Sequence, residues 1–264
     1  MLRKRLFFIV VLLAALNGGA QDIYDSALFE SRVHIDGNDT MPFLLYRSAE
    51  CADQGETPAL VLFLHGAGER GSDNRQQLRH CVRFFMEDSV SGRYPFVLLL
   101  PQCPENERWV NTDWRLPCHA MEANPTRQMM EVMDIVDSLK NSGAIDSNRV
   151  YICGISMGGF GVWDALQRYP GRFVAAIAVC GGGDPAYVGR IKHTPLYIFH
   201  GDRDKLVLPI RSRQMYLALR KSHSRDLHYI HYADLGHLCW DRAFSTPGLF
   251  HWLFSRTSDG QRKK

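Results

Sequence analysis

The chain of 264 residues carries 31 basic and 28 acidic side chains, a formal net charge of +3, and 45% of its residues are hydrophobic. That balance suits a folded globular protein and excludes a disordered or low-complexity chain. Arg3, Lys4 and Arg5 supply the whole excess of positive charge, so the remainder is neutral and has no basic footprint for nucleic acid.

The first twenty residues, "MLRKRLFFIVVLLAALNGGA", have the pattern of a secretory signal peptide. The three basic residues precede an apolar run from Leu6 to Leu16, and Gly18 and Ala20 are small residues where a signal peptidase cuts. The run is too short to cross a bilayer, which needs about 20 apolar residues. The expectation is cleavage after Ala20 and a secreted or periplasmic protein, with no stable membrane insertion. Residues 21–264 are expected to form one α/β domain.

Seven cysteines, at positions 51, 81, 103, 118, 153, 180 and 239, include no CxxC pair, which argues against a zinc ribbon. Cys153 and Cys180 fall in apolar runs and read as buried small hydrophobes. Cys103 and Cys118 share a loop and could pair.

In chain order, "SRVHIDGNDTMPFLLYRS" predicts two strands around an Asp-Gly turn. "ALVLFL" (Ala59 to Leu64) is a continuous apolar run, as in a strand buried on both faces of a parallel sheet. "RQQLRHCVRFFMED" has helical spacing, and "FVLLLP" is a second buried strand. "TRQMMEVMDIVDSL" predicts a helix with Met129, Met133, Val136 and Leu139 on one stripe, and Pro125 suits its start. "RVYICG" and "GFGVWDALQRYP" give a strand and a helix, and "FVAAIAVCGGG" and "PLYIFHGDRD" two more strands. "PIRSRQMYLALRKS" is a helix, "LHYIHY" a last strand, and "CWDRAFSTPGLFHWLF" a helical segment interrupted by Pro247. Strands alternating with helices predict βαβ units, a mostly parallel sheet with helices on both faces, and an antiparallel hairpin at its start.

Between the strand "RVYICG" and the following helix lies Gly154-Ile155-Ser156-Met157-Gly158, a G-x-S-x-G pattern. A serine on so sharp a strand-to-helix turn needs neighbours two residues away with almost no side chain. A serine hydroxyl is a weak nucleophile and needs a base, and the base needs an orienting carboxylate. The expected chain order is Ser, Asp or Glu, then His. Asp204 follows the strand that ends "FHGDRD", and His237 follows the last strand in "LGHLCW"; both fall at carboxyl ends of strands. Asp202 competes with Asp204 but suits a turn-stabilising role. His119, His193, His200 and His251 read as structural. Oxyanion donors are expected from the backbone N–H of Met157 and, in the loop "HGAGERG", of Ala67.

The long segment from Gln102 to Asn124 holds Trp109 and Trp114, which either wall a substrate site or form a small core under the loop. Glu69 and Arg70 fall near the mouth of the site, where they either contact a polar substrate or, as is expected here, pair with each other at the surface. "CGGGD" opens room for substrate or turns into a helix capped by Asp184. No metal-spaced cluster and no phosphate-cradling motif occurs, so neither metal nor cofactor is expected.

"LHGAGERG", "PQCP" with a nearby Trp, "NRVYICGISMGGFGVWDALQRYP", "HGDRD" and "GHLCW" resemble the secreted serine esterases of the α/β-hydrolase superfamily. More narrowly they resemble a carboxylesterase/peptidase-like group related to polyhydroxybutyrate depolymerases and feruloyl esterases, from about Ser31 to Phe254. The resemblance implies the α/β-hydrolase fold, with Ser156 as nucleophile, Asp204 as acid and His237 as base. It implies an ester substrate, small or oligomeric: short acyl, carbohydrate-linked or polyester. A peptidase using the same residues and a non-catalytic binding protein on the same fold are the alternatives.

Overall fold

The computed structural model describes residues 26–49 and 56–258. The expected signal peptide and Cys51 lie outside the described residues. The apolar run Ala59–Leu64 forms β3, and every one of its six residues is buried. Its side chains alternate between two cores: Leu60, Leu62 and Leu64 face one, and Ala59, Val61 and Phe63 the other. A strand needs apolar residues at consecutive positions only when both sheet faces are covered. The same holds for β4 (Phe96–Pro101), β5 (Val150–Ile155) and β6 (Ala175–Val179).

These strands belong to one eight-stranded sheet of order β1-β2-β4-β3-β5-β6-β7-β8. The hairpin is β1 (Phe29–Asp36) and β2 (Asp39–Arg47), closed by a turn in which Gly37 takes φ +64. It pairs antiparallel within itself and with β4. The remaining pairings are parallel, through β7 (Leu196–Gly201) to the edge strand β8 (Leu227–Tyr232). The half-buried edge strand β8 carries His228 and His231, polar residues that blunt an exposed edge.

Helices cover both faces. On one side lie α3 (Arg127–Asn141), α4 (Met157–Arg168) and α5 (Ile210–Lys221), which contribute Met129, Phe160 and Met215 to the core. On the other lie α1 (Val82–Met86), α6 (Trp240–Phe244) and α7 (Leu249–Phe254), with Phe85, Phe244 and Leu253. Each fully buried side chain of this size is worth about 1.5–3 kcal/mol relative to exposure. Thr126 caps α3, its hydroxyl accepting the Met129 N–H at 3.2 Å, a contribution of about 1 kcal/mol.

Three expectations need correction. The helical spacing of residues 75–88 does not give one helix. A 3₁₀ turn at Gln76–Leu78 ends near Cys81, which takes φ +66, and α1 is separated from α2 (Asp88–Ser91) by Glu87. The left-handed residue breaks the helical ladder, and it leaves His80 facing Glu69 instead of continuing a surface helix. Cys103 and Cys118 do not pair: both are free thiols, one buried and one exposed. Glu69 and Arg70 do not pair either. Glu69 is buried with a carboxylate oxygen 3.5 Å from His80 Nε2, and Arg70 donates to the carbonyls of Ala67 and Glu107.

Candidate active site

Ser156 stands between β5 and α4 at φ 52, ψ −119. Such a conformation costs a non-glycine residue of order 1–3 kcal/mol and persists only when its surroundings over-determine it. Here they do. A methyl group on Gly154 would meet the Gly158 carbonyl oxygen at 2.4 Å, and one on Gly159 would meet the Val179 oxygen at 2.4 Å. The Ser156 N–H donates to Val179 O at 2.9 Å, which ties the turn to the end of β6.

The candidate acid and base come from the ends of β7 and β8, whose loops are laced together. Asp202 N–H donates to Tyr232 O and Arg203 N–H to Leu235 O, both at 2.9 Å. Gly201 lets this happen, because a Cβ there would lie 2.2 Å from the Gly236 oxygen. Asp202 itself holds His231 at 2.8 Å, so it stabilises the turn and leaves Asp204 to face the site.

The three side chains then form a line. His237 Nδ1–H donates to Asp204 Oδ2 at 2.7 Å, and the Ser156 hydroxyl lies 2.8 Å from His237 Nε2. With the Nδ1 proton directed at the carboxylate, Nε2 is free to accept the serine proton. The Asp204 side chain is wholly buried and that of His237 is 12% exposed. Burial alone would raise the Asp204 pKa. Hydrogen bonds from His200, His237 and Val207 outweigh it and hold the carboxyl well below the usual range. Its Oδ1 also accepts the N–H groups of Leu206 and Val207, each at 2.9 Å.

The loop after β3 is held by His65. Its Nδ1–H donates to Gly66 O at 2.6 Å, and its Nε2 accepts the Cys103 N–H at 3.0 Å. That pattern requires a neutral ring, and burial lowers its pKa to about 4. Ala67 opens the 3₁₀ turn Ala67–Glu69, and Met157 opens α4. By position both N–H groups lack an intrahelical acceptor, as oxyanion donors must.

A cleft of about 330 Å³ lies over these residues, lined by Gly66, Ala67, Glu69, Trp114, Ser156, Leu206, His237, Leu238 and Trp240 among others. Trp114 therefore reaches the site. Trp109 does not: it is fully buried, its indole N–H donates to His65 O at 3.0 Å, and its ring meets the His65 ring edge-on. It supports the loop from beneath because an indole of that size fills the space under α4, against Gly161. Trp240 packs edge-on to His237 at 5.5 Å between ring centres and lies 5.3 Å from His80. The loop 102–124 is pinned to α5 by the buried Arg211 guanidinium, which donates to His119 Nδ1 and Asp113 O. Asp184 caps the 3₁₀ helix Pro185–Arg190, accepting from Ala186 N–H.

Sequence reasoning placed Glu69 near the mouth but not against His80, read His200 as structural without its contact to Asp204, and missed His80 altogether. Burial pushes the Glu69 carboxyl up, against the opposing pull of His80. Its place two residues after Ala67 was the available signal; His80 offered none. Among the described residues, Cys180, Asp204 and His237 bring possible metal-ligand atoms within 4.8 Å of one another. Asp204 and His237 already satisfy each other there, and Cys180 Sγ lies 3.3 Å from Cys239 Sγ.

The profile of the prolyl oligopeptidase family matches residues 113–193. The chain is 31% identical to a thermostable esterase of known structure, with a TM-score of 0.78 over 88% of this chain and 64% of that one. A rice protein (Oryza sativa subsp. japonica) described as "Probable carboxylesterase" is 24% identical over 220 residues, 76% of this chain and 89% of its own. A bifunctional acetylxylan esterase/xylanase of Neocallimastix patriciarum is 30% identical over 83 residues, 31% of this chain; the match spans 12% of that enzyme. A ferulic acid esterase shares the fold at a TM-score of 0.65 and 14% identity, over 86% of this chain and 97% of its own. The class defined by the sheet and these likenesses is the α/β-hydrolase fold. Within that class the likenesses are to esterases and, over residues 113–193, to the prolyl oligopeptidase family.

Proposed function

We propose that this protein is a serine hydrolase that cleaves carboxylic esters through an acyl-enzyme. The observation that carries the proposal is the unbroken hydrogen-bonded line Asp204–His237–Ser156, at 2.7 and 2.8 Å, at the floor of a cleft. Ser156 Oγ attacks the ester carbonyl carbon as His237 Nε2 takes its proton. Asp204 stays ionised and stabilises the imidazolium. The Met157 and Ala67 N–H groups hold the oxyanion, each donor of this kind being worth about 2.7–4 kcal/mol. Collapse expels the alcohol with the proton from His237. Water then attacks the acyl-enzyme by the same path and releases the acid.

The cleft walls, Ala67, Trp114, Leu206, Leu238 and Trp240, are mainly apolar, and they suit a small acyl group. Short acyl, carbohydrate-linked and polyester-oligomer esters are the proposed substrates. The proposal includes export, supported by the pattern of the first twenty residues. Among the described residues no helix is long and apolar enough to cross a membrane. N-terminal sequencing of protein recovered from the native host tests the cleavage after Ala20.

One observation favours a second reading, a serine peptidase. The prolyl oligopeptidase profile covers the segment that contains Ser156, and amide and ester cleavage share this machinery. Assays on p-nitrophenyl acetate and on peptide anilides separate the two. A fluorophosphonate probe tests both together: labelling of the wild type that is lost in Ser156→Ala supports the hydrolase. Folded wild-type protein that resists the probe refutes it, in favour of a binding protein on the same fold.

A further inference from the structure

Two cysteine sulfurs meet beside the Ser156–His237 pair. Cys180 Sγ and Cys239 Sγ lie 3.3 Å apart, in residues separated by 59 positions. Both side chains are wholly buried. Cys180 directly follows β6, and Cys239 directly precedes α6. Each adjoins a part of the site. Val179, the residue before Cys180, accepts the Ser156 N–H at its carbonyl. His237 stands two residues before Cys239; its carbonyl accepts the Cys239 N–H at 2.9 Å and lies 3.4 Å from Cys180 Sγ. Bonded sulfurs lie about 2 Å apart, so a shift of about 1.3 Å, shared between two side chains, closes the gap.

We propose that Cys180 and Cys239 are joined by a disulfide in the exported protein, and that this bond ties the Ser156 turn to the loop that carries His237. This rests on the proposed export and on the proposed roles of Ser156 and His237. The oxidant is a small-molecule or protein disulfide of an oxidising compartment. The thiolate of one cysteine attacks it and expels one thiolate, and the second cysteine attacks the mixed disulfide and expels the protein-bound partner. One S–S bond is exchanged for another, and the two thiol protons and two electrons pass to the reduced oxidant.

Burial pushes the Cys180 thiol far above its ordinary range, and a buried neutral thiol is a poor nucleophile. The bond therefore forms while the chain is still closing, and the finished fold shields it from thiols in solution. Its consequence for the site is anchorage. The loop that bears His237 follows β8, a half-buried strand at the edge of the sheet, and leads into the five-residue α6. Cys180 stands at the end of β6, which is paired on both sides. A covalent bond between them fastens the base to the middle of the sheet, one residue from the carbonyl that holds the nucleophile's turn.

The test is a thiol map. The protein is refolded from urea in a mixture of reduced and oxidised glutathione, then alkylated in denaturant without reductant, digested and weighed. The expected result is one cross-linked peptide pair that holds residues 180 and 239, lighter by two hydrogens than its reduced parts. Two cysteines that merely pack as small apolar neighbours would both be alkylated. That outcome, or a bond from either one to another cysteine, overturns the proposal. Protein purified from the native host and alkylated in the same way gives the map without refolding. A second measurement reads the anchorage. The thermal midpoint of wild-type protein refolded in the glutathione mixture should exceed that of protein refolded in reductant by roughly 5–15 °C. The double variant Cys180→Ala, Cys239→Ala should show no such difference; a difference that persists there, or none in the wild type, overturns the anchorage. The refolded map needs neither export nor turnover. Failure of the export reading, seen by N-terminal sequencing, and of the hydrolase reading, seen with the fluorophosphonate probe, therefore remain distinguishable.

Discussion

Gly158 lies so close to Leu64 that a methyl group on its Cα would come within 1.9 Å of the Leu64 carbonyl oxygen. The start of α4 is thus pressed directly on the end of β3, which brings Ser156 up to the loop that holds Ala67. Gly158→Ala must push helix from strand, and the obstruction is backbone that cannot rotate away. The expected cost is about 3 kcal/mol or more, at the upper end for overpacking, with activity lost in step. Gly68→Ala is the control: nothing lies within 4 Å of its added methyl group, so stability should change by less than about 0.5 kcal/mol. Denaturant midpoints of the two variants check both.

Asp204→Asn should abolish most turnover without unfolding the protein. The amide cannot accept from all four N–H groups that face the carboxylate, and it no longer fixes His237 with its proton on Nδ1. On the proposed role of Asp204, a fall in kcat of about 10⁴-fold is expected, the size of the comparable change in a serine-protease triad. Steady-state kinetics on p-nitrophenyl acetate measure it, and circular dichroism verifies the fold.

His65 should make the protein acid-sensitive well above the range in which carboxylates titrate. Burial lowers its pKa from 6.5 to about 4. The unfolded chain therefore binds this proton more readily than the native state does. The contribution of His65 is fully present above pH 6.5 and is lost as pH falls toward 4. The difference corresponds to roughly 3 kcal/mol at the acid end. In His65→Gln, unfolding free energy should fall less steeply over that window, although the variant starts from lower stability. Urea denaturation across the window gives both slopes.

Trp240 braces the imidazole of His237 from the side. Trp240→Phe should preserve much of that contact and most of the activity. Trp240→Ala should lower kcat by about tenfold to a hundredfold, because small displacements of a reacting group carry penalties of that size. Comparing kcat in the two variants separates lost bracing from lost cleft wall, which would act on KM.

The chain itself encodes whatever rests on short-range geometry. The continuous apolar runs of β3 to β6 follow from burial on both faces, the hairpin from Gly37, and the Ser156 turn from glycines that leave it room. Asp204 and His237 were legible for a related reason: topology places loops after parallel strands on one rim, and these two follow β7 and β8. Residues 75–88 were misread because periodicity records which positions are apolar, but not that Cys81 turns left-handed. Only the tertiary structure could separate Trp109 from Trp114, since two indoles five positions apart in one loop look alike until one fills the space beneath α4. It alone showed Glu69 turned away from Arg70 toward His80, and His200 sharing the Asp204 carboxylate. Those relations depend on which surfaces meet once the sheet has been covered, and no spacing along the chain records that.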